Sequence, residues 1–340
     1  MVGQRVQLLN QLLLTLSQIS KFTASSSLRN FSLSKERYIC FADKQQFTLP
    51  LLLTIHVFVK IILLDKEEVI IMDLMKGKKG VIFGVSNTHG IAYGIAKQLH
   101  DAGADIAFTY AGETMEKRVR PIAEGMGAKI IMSCDVTKED EVKAVFDACE
   151  KEYGKIDFVV HAVAFAKKED LMGKFIDTSL DGWNTAMGVS AYSLVTICRN
   201  AQPIMNEGGS ILALTYLGSQ YVVSNYNVMG VAKAALESSM RYLAMDMGAY
   251  GVRVNCLSSG AVKTLAAMGI SGFPRMLKAA VVKAPLKRNV TLEDVGRAGL
   301  YLASDLSSGT TGQVLYCDCG CHCVYGSAEE MEIISNNVNI

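Results

Sequence analysis

Tyr226 and Lys233 have the types and spacing needed for chemistry on a carbonyl oxygen. They lie seven positions apart, and a helix of about 3.6 residues per turn presents such a pair on one face. A phenol stabilises or protonates negative charge on a carbonyl oxygen, while a nearby ammonium favours that charge and can hold ribose hydroxyls. The alternative is that the two side chains lie on an exposed helix face and have no function. The position of the pair relative to the surrounding strands and helices distinguishes the two interpretations.

Those elements predict an α/β fold. From Lys76 onward, short apolar runs alternate with segments of helical period, which is typical of βα units. The runs are continuously apolar, as expected of strands that helices cover on both faces. We therefore expect a single domain with a Rossmann-like, doubly wound, seven-stranded parallel sheet. The predicted strands span residues 80–85, 105–110, 130–136, 158–164, 210–216, 253–259 and 313–318.

Ligands of such sheets bind beyond the carboxyl ends of the strands. Tyr226 and Lys233 follow the fifth strand, which favours a site over an exposed surface pair.

A glycine-rich loop follows the first strand, from Gly84 to Gly94, and leads into a helical pattern. Glycine lets the backbone approach a pyrophosphate, and the helix N-terminus presents N–H groups to its charge. We predict a dinucleotide site, although these glycines could alone make a tight turn. The loop lacks the Gly-Lys-Ser/Thr of ATP-binding P-loops. Ala111, after the second strand, is neither the acid of many NAD sites nor the arginine of NADP sites, so both cofactors stay open here.

Several segments carry a family resemblance. They are SNYNVMGVAKAALE around the pair, YLG at Tyr216, HAVAFA at 161–166, GVRVNCLSSGAVKTLAAMGI at 251–270 and PLKRNVTLEDVG at 285–296. With them, residues 72–326 resemble the bacterial enoyl-(acyl-carrier-protein) reductases, a divergent branch of the short-chain dehydrogenases with Tyr-x6-Lys.

The resemblance implies reduction of the trans-2 double bond of enoyl chains on acyl carrier protein, with NADH, in fatty acid biosynthesis; NADPH is not excluded. It also implies a cytoplasmic homotetramer and a mobile lid over residues 261–277. Two alternatives remain: another reductase of this fold with a different carbonyl or enoyl substrate, and a non-catalytic nucleotide-binding protein.

The resemblance also assigns roles to residues. Tyr226 would meet the thioester carbonyl, Tyr216 would lie by the enoyl chain, Lys233 would bind the nicotinamide ribose and Ala166 would contact substrate. The cofactor would further contact Gly84, Gly90, Ile91, Asp135, Val136, Val163, Val262, Lys263, Thr264, Leu265 and Ala266.

Three positions differ from the residue that the family usually carries there. Gly90 stands for a usual serine, Ala261 for a proline and Ala111 for a frequent glutamine. Gly90 and Ala261 are expected to weaken cofactor binding. At Ala261 the reason is that a proline would fix φ and restrict the preceding residue, so its absence loosens a turn next to the nicotinamide. Neither Gly90 nor Ala261 removes a group that does chemistry, whereas Ala111 weakens the assignment of NADH as cofactor.

Composition excludes some partners. With 34 Lys and Arg against 33 Asp and Glu, the formal net charge is +1, so no charge excess indicates nucleic acid. Four of the nine cysteines lie in apolar periodic segments, where free thiols behave as small hydrophobic groups and a reducing compartment is the simpler interpretation. These are Cys134, Cys149, Cys198 and Cys256.

Other residues are predicted to be structural. The Cys317–Cys323 segment holds four cysteines and one histidine, but a straight strand spreads its side chains in a line, so no metal is expected unless Gly320 bends the chain. We expect His161 to be packed and hydrogen-bonded rather than an acid or base, and Trp183 to have a packing role.

Residues 1–71 differ in composition from the rest. The first 35 residues contain no Asp or Glu, as in organellar transit peptides. The apolar stretch 49–64 is shorter than the roughly 20 residues of a membrane span and contains His56 and Lys60, so no span is expected. We prefer the interpretation that translation begins at Met72 or Met75 and that the preceding segment is an overextended reading frame. Residues 327–340 are a tail.

Overall fold

The computed structural model describes residues 73–264 and 273–326, together with the backbone of residues 33–34 and 37–38. The chain forms two compact units, Met1–Lys66 and Glu67–Ile340. In the first unit, Leu33–Ser34 pairs antiparallel with Arg37–Tyr38.

The second unit is built on a parallel sheet. The seven strands among its described residues follow the order β3-β2-β1-β4-β5-β6-β7, and each neighbouring pair is parallel. Chain order reverses between β1 and β4, where an open α/β sheet leaves a crevice at its carboxyl edge. The strands are β1 Lys79–Phe83, β2 Asp105–Tyr110, β3 Ile131–Ser133, β4 Ile156–His161, β5 Met205–Thr215, β6 Arg253–Ser259 and β7 Val314–Cys317.

Helices connect the strands. The α-helices are α1 Ile91–Asp101, α2 Glu113–Gly125, α3 Glu139–Tyr153, α4 Lys168–Leu171, α5 Leu180–Met187, α6 Ser193–Ala201, α7 Asn227–Gly248, α8 Phe273–Lys283 and α9 Leu292–Ala303. A π-helical turn spans Gly188–Tyr192, and 3₁₀ turns span Phe175–Asp177, Gln202–Ile204, Leu217–Ser219, Asp305–Ser307 and Cys321–Cys323.

Alternation of side chains along the strands builds a core on each face of the sheet. Val81 faces a cluster that includes Leu236 of α7, whereas its neighbour Ile82 faces a cluster that includes Ile95 of α1. The continuous apolar runs are thus explained, because both faces are covered. The four cysteines predicted as small hydrophobic groups are buried and free.

The predicted sheet is confirmed, but only β2 and β6 have the predicted bounds, and the other five strands differ from the prediction. β1 ends at Phe83 rather than at residue 85, and β4 spans Ile156–His161 rather than residues 158–164. β3 is shorter because the Asp135 carboxylate accepts from the Thr137 N–H at 3.0 Å, a local turn that ends the strand. β5 begins at Met205 and β7 ends at Cys317. Beyond β7 the chain turns at Gly320, whose φ is 88°, so the cysteine segment does not continue as a strand.

Met75 is fully buried and its N–H donates to the Ala102 carbonyl oxygen at 2.8 Å, so packed structure includes this residue. Apart from residues 33–34 and 37–38, the predicted extension 1–71 lies outside the described residues, as do the tail 327–340 and much of the predicted lid. Within the described residues, no helix is both long and apolar enough to cross a membrane.

Candidate active site

A cavity of about 360 Å³ lies at the carboxyl ends of the strands. It brings together residues from the loops that follow β1, β4, β5 and β6 and from helices α1, α4, α7 and α8, as the sheet topology requires. The predicted site residues in its lining are Gly84, Gly90, Ile91, Val163, Tyr216, Tyr226, Lys233, Val262 and Thr264.

Tyr226 lies at the start of α7 rather than inside it. The helix begins at Asn227, and Tyr226 is its N-cap residue. Asn225 and Asn227 have positive φ angles of 62° and 35°, in a region that asparagine tolerates better than most residues. The two asparagines turn the chain so that Tyr226 enters the cavity before the helix begins. Lys233 follows in the second turn and lines the same cavity.

Tyr216 and Tyr226 pack edge to face, with ring centroids 5.0 Å apart and an interplanar angle of 72°. A Cβ on Gly218 would lie 2.6 Å from the Tyr226 ring, so only glycine allows this approach. Burial, followed by the nearby Tyr216, raises the pKa of Tyr226 above its ordinary value. Burial likewise raises the pKa of Tyr216. Both phenols are therefore protonated at neutral pH and able to donate.

Lys233 is buried, and its Nζ donates to the Leu214 carbonyl oxygen at 2.7 Å. Burial lowers the pKa of Lys233 to about 8. One turn later, the buried Glu237 accepts from the Thr215 hydroxyl at 2.6 Å. These two bonds fix the end of β5 against α7 and hold the ammonium at the cavity.

His161 is fully buried, and its Nε2 lies 2.7 Å from the Ser193 hydroxyl oxygen. The Ser193 hydroxyl donates to the Val189 carbonyl oxygen, so it accepts from Nε2. Burial, followed by the charge of Lys233, lowers the pKa of His161 to about 3, which keeps the ring neutral. The prediction of a packed, hydrogen-bonded histidine is confirmed. Trp183 is partly buried and packs against the cluster that contains Ala186 and Val228, in line with the predicted packing role.

The glycine loop is shaped to bring backbone close to a ligand. Gly84 has a φ of 100°, and a Cβ there would lie 2.2 Å from the Ala162 carbonyl oxygen. The loop ends at Gly90, after which α1 begins with N–H groups that have no partner within the helix. A loop that lacks side chains at Gly84 and Gly90, beside a helix N-terminus, fits a dinucleotide pyrophosphate.

Gly90 is not required by its own geometry. Its φ is −86°, and a Cβ there would meet the Asn87 carbonyl oxygen at an ordinary 3.5 Å. We expect Gly90→Ser to raise the free energy of unfolding by a few tenths of a kcal/mol, because serine caps a helix better than glycine. One added hydrogen bond should also tighten NADH binding by about threefold. Chemical denaturation and fluorescence titration measure both. Gly84→Ser, the matched control, should abolish NADH binding; equal affinities in the two variants would contradict this account.

The other predicted site residues lie apart from the cavity lining. Asp135 and Val136 follow β3, toward the sheet edge. Burial alone would raise the pKa of Asp135, but hydrogen bonds from Thr137 hold that pKa below its ordinary value. Ala166, like Tyr226, is partly buried and packs against the cluster that contains Val228 and Met229. Lys263 is exposed. Leu265 and Ala266 lie outside the described residues.

The cysteine segment bends but does not gather ligands. Gly320 supplies the bend, and His322 Nδ1 lies 2.9 Å from an Asp318 carboxylate oxygen, while its ring stacks on Tyr316 at 4.1 Å. No group of three metal-ligating side chains occurs in the part of the chain that the structure describes.

Some contributors to the site carry no signal in the sequence. The Leu214 carbonyl could not be identified, because any residue type supplies a carbonyl oxygen. Glu237 had a weak signal, since it lies four residues after Lys233 on the same helix. Met229 and Met276, which line the cavity, look like ordinary core residues.

Comparison with known proteins agrees with this geometry. A sequence profile described as Enoyl-(Acyl carrier protein) reductase matches residues 84–322. The enoyl-acyl-carrier-protein reductase (NADH) 1 of Rhizobium meliloti is 53% identical over 262 residues, which cover 77% of this chain and 96% of that protein.

Two solved structures are similar as well. The enoyl-acyl-carrier-protein reductase of Anaplasma phagocytophilum in complex with NAD has a TM-score of 0.73 at 50% identity, covering 75% of this chain and 97% of its own. The Bacillus cereus reductase with NADP+ and an indole naphthyridinone has a TM-score of 0.73 at 47% identity, covering 74% and 99%. The chain therefore belongs to the enoyl-(acyl-carrier-protein) reductase family.

Proposed function

We propose that this chain reduces the trans-2 double bond of enoyl thioesters carried on acyl carrier protein, with NADH, in fatty acid biosynthesis. The observation that carries the proposal is that Tyr216, Tyr226 and Lys233 line one cavity with the glycine loop. The family supplies the substrate class, and the (NADH) in the name of the Rhizobium meliloti relative supports the cofactor.

NADH, when bound, supplies the hydride that is added to the β-carbon of the enoyl group. The Tyr226 phenol acts on the negative charge that then develops on the thioester carbonyl oxygen, as a hydrogen-bond donor or proton donor. Its raised pKa keeps the proton on the phenol until that charge forms. A proton taken up at the α-carbon completes the saturated thioester.

Tyr216 positions this donor. Its edge-to-face contact restricts rotation of the Tyr226 ring, and it shares the cavity where the enoyl chain would lie. With substrate bound, its ring would also keep water from the carbonyl, which would strengthen the hydrogen bond in the reacting complex.

Lys233 holds the cofactor in this proposal. The Leu214 carbonyl accepts one of its three N–H donors, which leaves the ammonium able to bind ribose hydroxyls. Gly84, Gly90 and Ile91 would hold the pyrophosphate.

The remaining assignments rest on the family. Asp135 and Val136 would contact adenine, Val163 the region near the ribose, and Ala166 the substrate, while the segment 262–266 would contact nicotinamide and phosphate. We further propose residues 72–326 as the catalytic domain, with an N-terminal extension, a C-terminal tail, a cytoplasmic location and a homotetrameric state.

Parallel assays with crotonyl-CoA and either NADH or NADPH test the proposal. We expect NADH consumption with crotonyl-CoA and slower consumption of NADPH. Turnover of a ketone but of no enoyl thioester would instead indicate another reductase of this fold. Tight NADH binding without any turnover would indicate a non-catalytic nucleotide-binding protein.

A further inference from the structure

Glu237 is a buried carboxylate that the proposed chemistry does not use. It lies on α7 one turn after Lys233, so the two side chains share a helix face. Each of the two residues is only 4% exposed to solvent. A buried carboxylate is strongly unfavourable unless hydrogen bonds and an opposite charge compensate it, and the surroundings of Glu237 supply both.

Lys233 and Glu237 hold neighbouring residues at the end of β5. The Lys233 Nζ donates to the Leu214 carbonyl oxygen at 2.7 Å, and the Thr215 hydroxyl donates to Glu237 Oε1 at 2.6 Å. Thr215 directly precedes Tyr216. The carboxylate is therefore fixed against the same stretch of backbone as the ammonium, and it cannot turn toward solvent without losing this bond.

Other titratable and charged groups approach this pair from the neighbouring elements. They are His161 of β4, Cys198 of α6, Tyr226 and Arg241 at α7, Cys256 of β6 and Tyr316 of β7. None of these groups supplies a negative charge at neutral pH. Burial raises the pKa of both thiols and of both phenols, which keep their protons, and His161 is neutral.

The charge that acts on Lys233 can thus be assigned to one residue. Burial lowers the pKa of Lys233 to about 8, and Cys256 and Glu237 act in the opposite direction. Because the Cys256 thiol keeps its proton, the opposing negative charge comes from Glu237. Among the residues that the structure describes, this carboxylate is the group that favours the ammonium form of Lys233.

We propose that Glu237 is a positioning residue that keeps the Lys233 ammonium charged and thereby sets the highest pH at which the enzyme binds NADH. The inference rests on the proposed function, in which Lys233 holds the nicotinamide ribose. An opposite charge one helical turn away in a buried site favours the charged form of its partner by about tenfold or more. Without Glu237, burial alone would act on the ammonium, and Lys233 would lose its proton at a lower pH.

Glu237→Gln tests the inference, because the amide oxygen still accepts from Thr215 while the charge is lost. The pH at which NADH affinity has halved should fall from about 8 by about one unit. The variant should therefore bind NADH about fivefold more weakly than the wild type at about pH 8, but within about twofold of it at about pH 6. Fluorescence titration of NADH across this range measures both. An unchanged pH profile, or a weakening by the same factor at every pH, would overturn the inference.

Asp246→Asn is the matched control. It removes the same charge from an exposed position farther along α7, and it should keep the wild-type pH profile. Glu237→Asp retains the charge and should return the profile toward that of the wild type. Should Glu237→Gln fail to fold, the double change Thr215→Val with Glu237→Met leaves no polar partner unpaired, and the same fall in the halving pH is expected.

The titration of Lys233 itself provides a readout that needs neither cofactor nor turnover. In protein labelled at the lysine Cε for NMR, the Lys233 signal is assigned by its absence in Lys233→Met. This signal should titrate at lower pH in Glu237→Gln than in the wild type, and equal titration in the two proteins would refute the inference. Absence of crotonyl-CoA turnover in a wild type whose Lys233 titrates as expected would instead contradict the proposed function alone.

Discussion

Tyr226→Phe should lower kcat for crotonyl-CoA reduction by about 10²–10³-fold, the usual effect of removing one donor from a developing oxyanion. The phenylalanine ring keeps the edge-to-face packing on Tyr216, so the loss reports the hydroxyl group alone. NADH affinity should stay within about twofold, because the change removes an interaction made in the transition state. Steady-state kinetics and fluorescence titration provide the two numbers.

Tyr221→Phe is the matched control. Tyr221 lies in the same connection between β5 and α7 but is 56% exposed and does not line the cavity. Its kcat should equal that of the wild type. If Tyr226→Phe retained full activity, the phenol would have no role in the chemistry, whatever its position.

Lys233→Met should weaken NADH binding by about 10–100-fold, because hydrogen bonds to a charged group contribute about 1.5–3 kcal/mol each. Methionine retains most of the aliphatic volume, so folding is disturbed less than by alanine. Fluorescence titration of NADH measures the effect. Lys151→Met, at an exposed position on α3, is the control and should bind NADH normally. Unchanged NADH affinity in Lys233→Met would remove Lys233 from the cofactor site.

The same lysine predicts a pH dependence. Its pKa of about 8 means that the ammonium is present below pH 8 and lost above it, so NADH affinity should fall as the pH rises through that value. His161 stays neutral across this range because its pKa is about 3.

Folding stability should respond in the opposite direction. Between about pH 8 and the ordinary lysine pKa of 10.5, the unfolded chain binds the proton that folded Lys233 has released. Rising pH therefore lessens the cost of burying Lys233. Loss of NADH affinity above pH 8 should thus occur without unfolding, as circular dichroism can verify. A constant affinity from pH 7 to pH 9 would contradict the assigned role of the ammonium.

Much of the fold could be predicted from the sequence, because the apolar runs are continuous and are separated by segments of helical period. The ends of the strands were harder to predict. The end of β3 depends on the turn made by Asp135, a local side-chain bond that competes with the strand ladder. The segment after β7 leaves the strand because Gly320 adopts a left-handed conformation, which a glycine permits but does not require.

The sequence predicted those features of the site that follow from the topology of the sheet. Tyr226 and Lys233 share a cavity because parallel strands bring their carboxyl ends to one edge. That Tyr226 precedes the helix was not evident, since it depends on the left-handed Asn225 and Asn227.

The most direct test of the central claim is the fate of a label. NADH carrying deuterium at the transferable position of the nicotinamide is incubated with crotonyl-CoA, and the product is analysed by mass spectrometry and NMR. The account predicts butyryl-CoA with one deuterium on the β-carbon. Recovery of unlabelled thioester, or of deuterium at a carbonyl carbon of another substrate and never in butyryl-CoA, would contradict it.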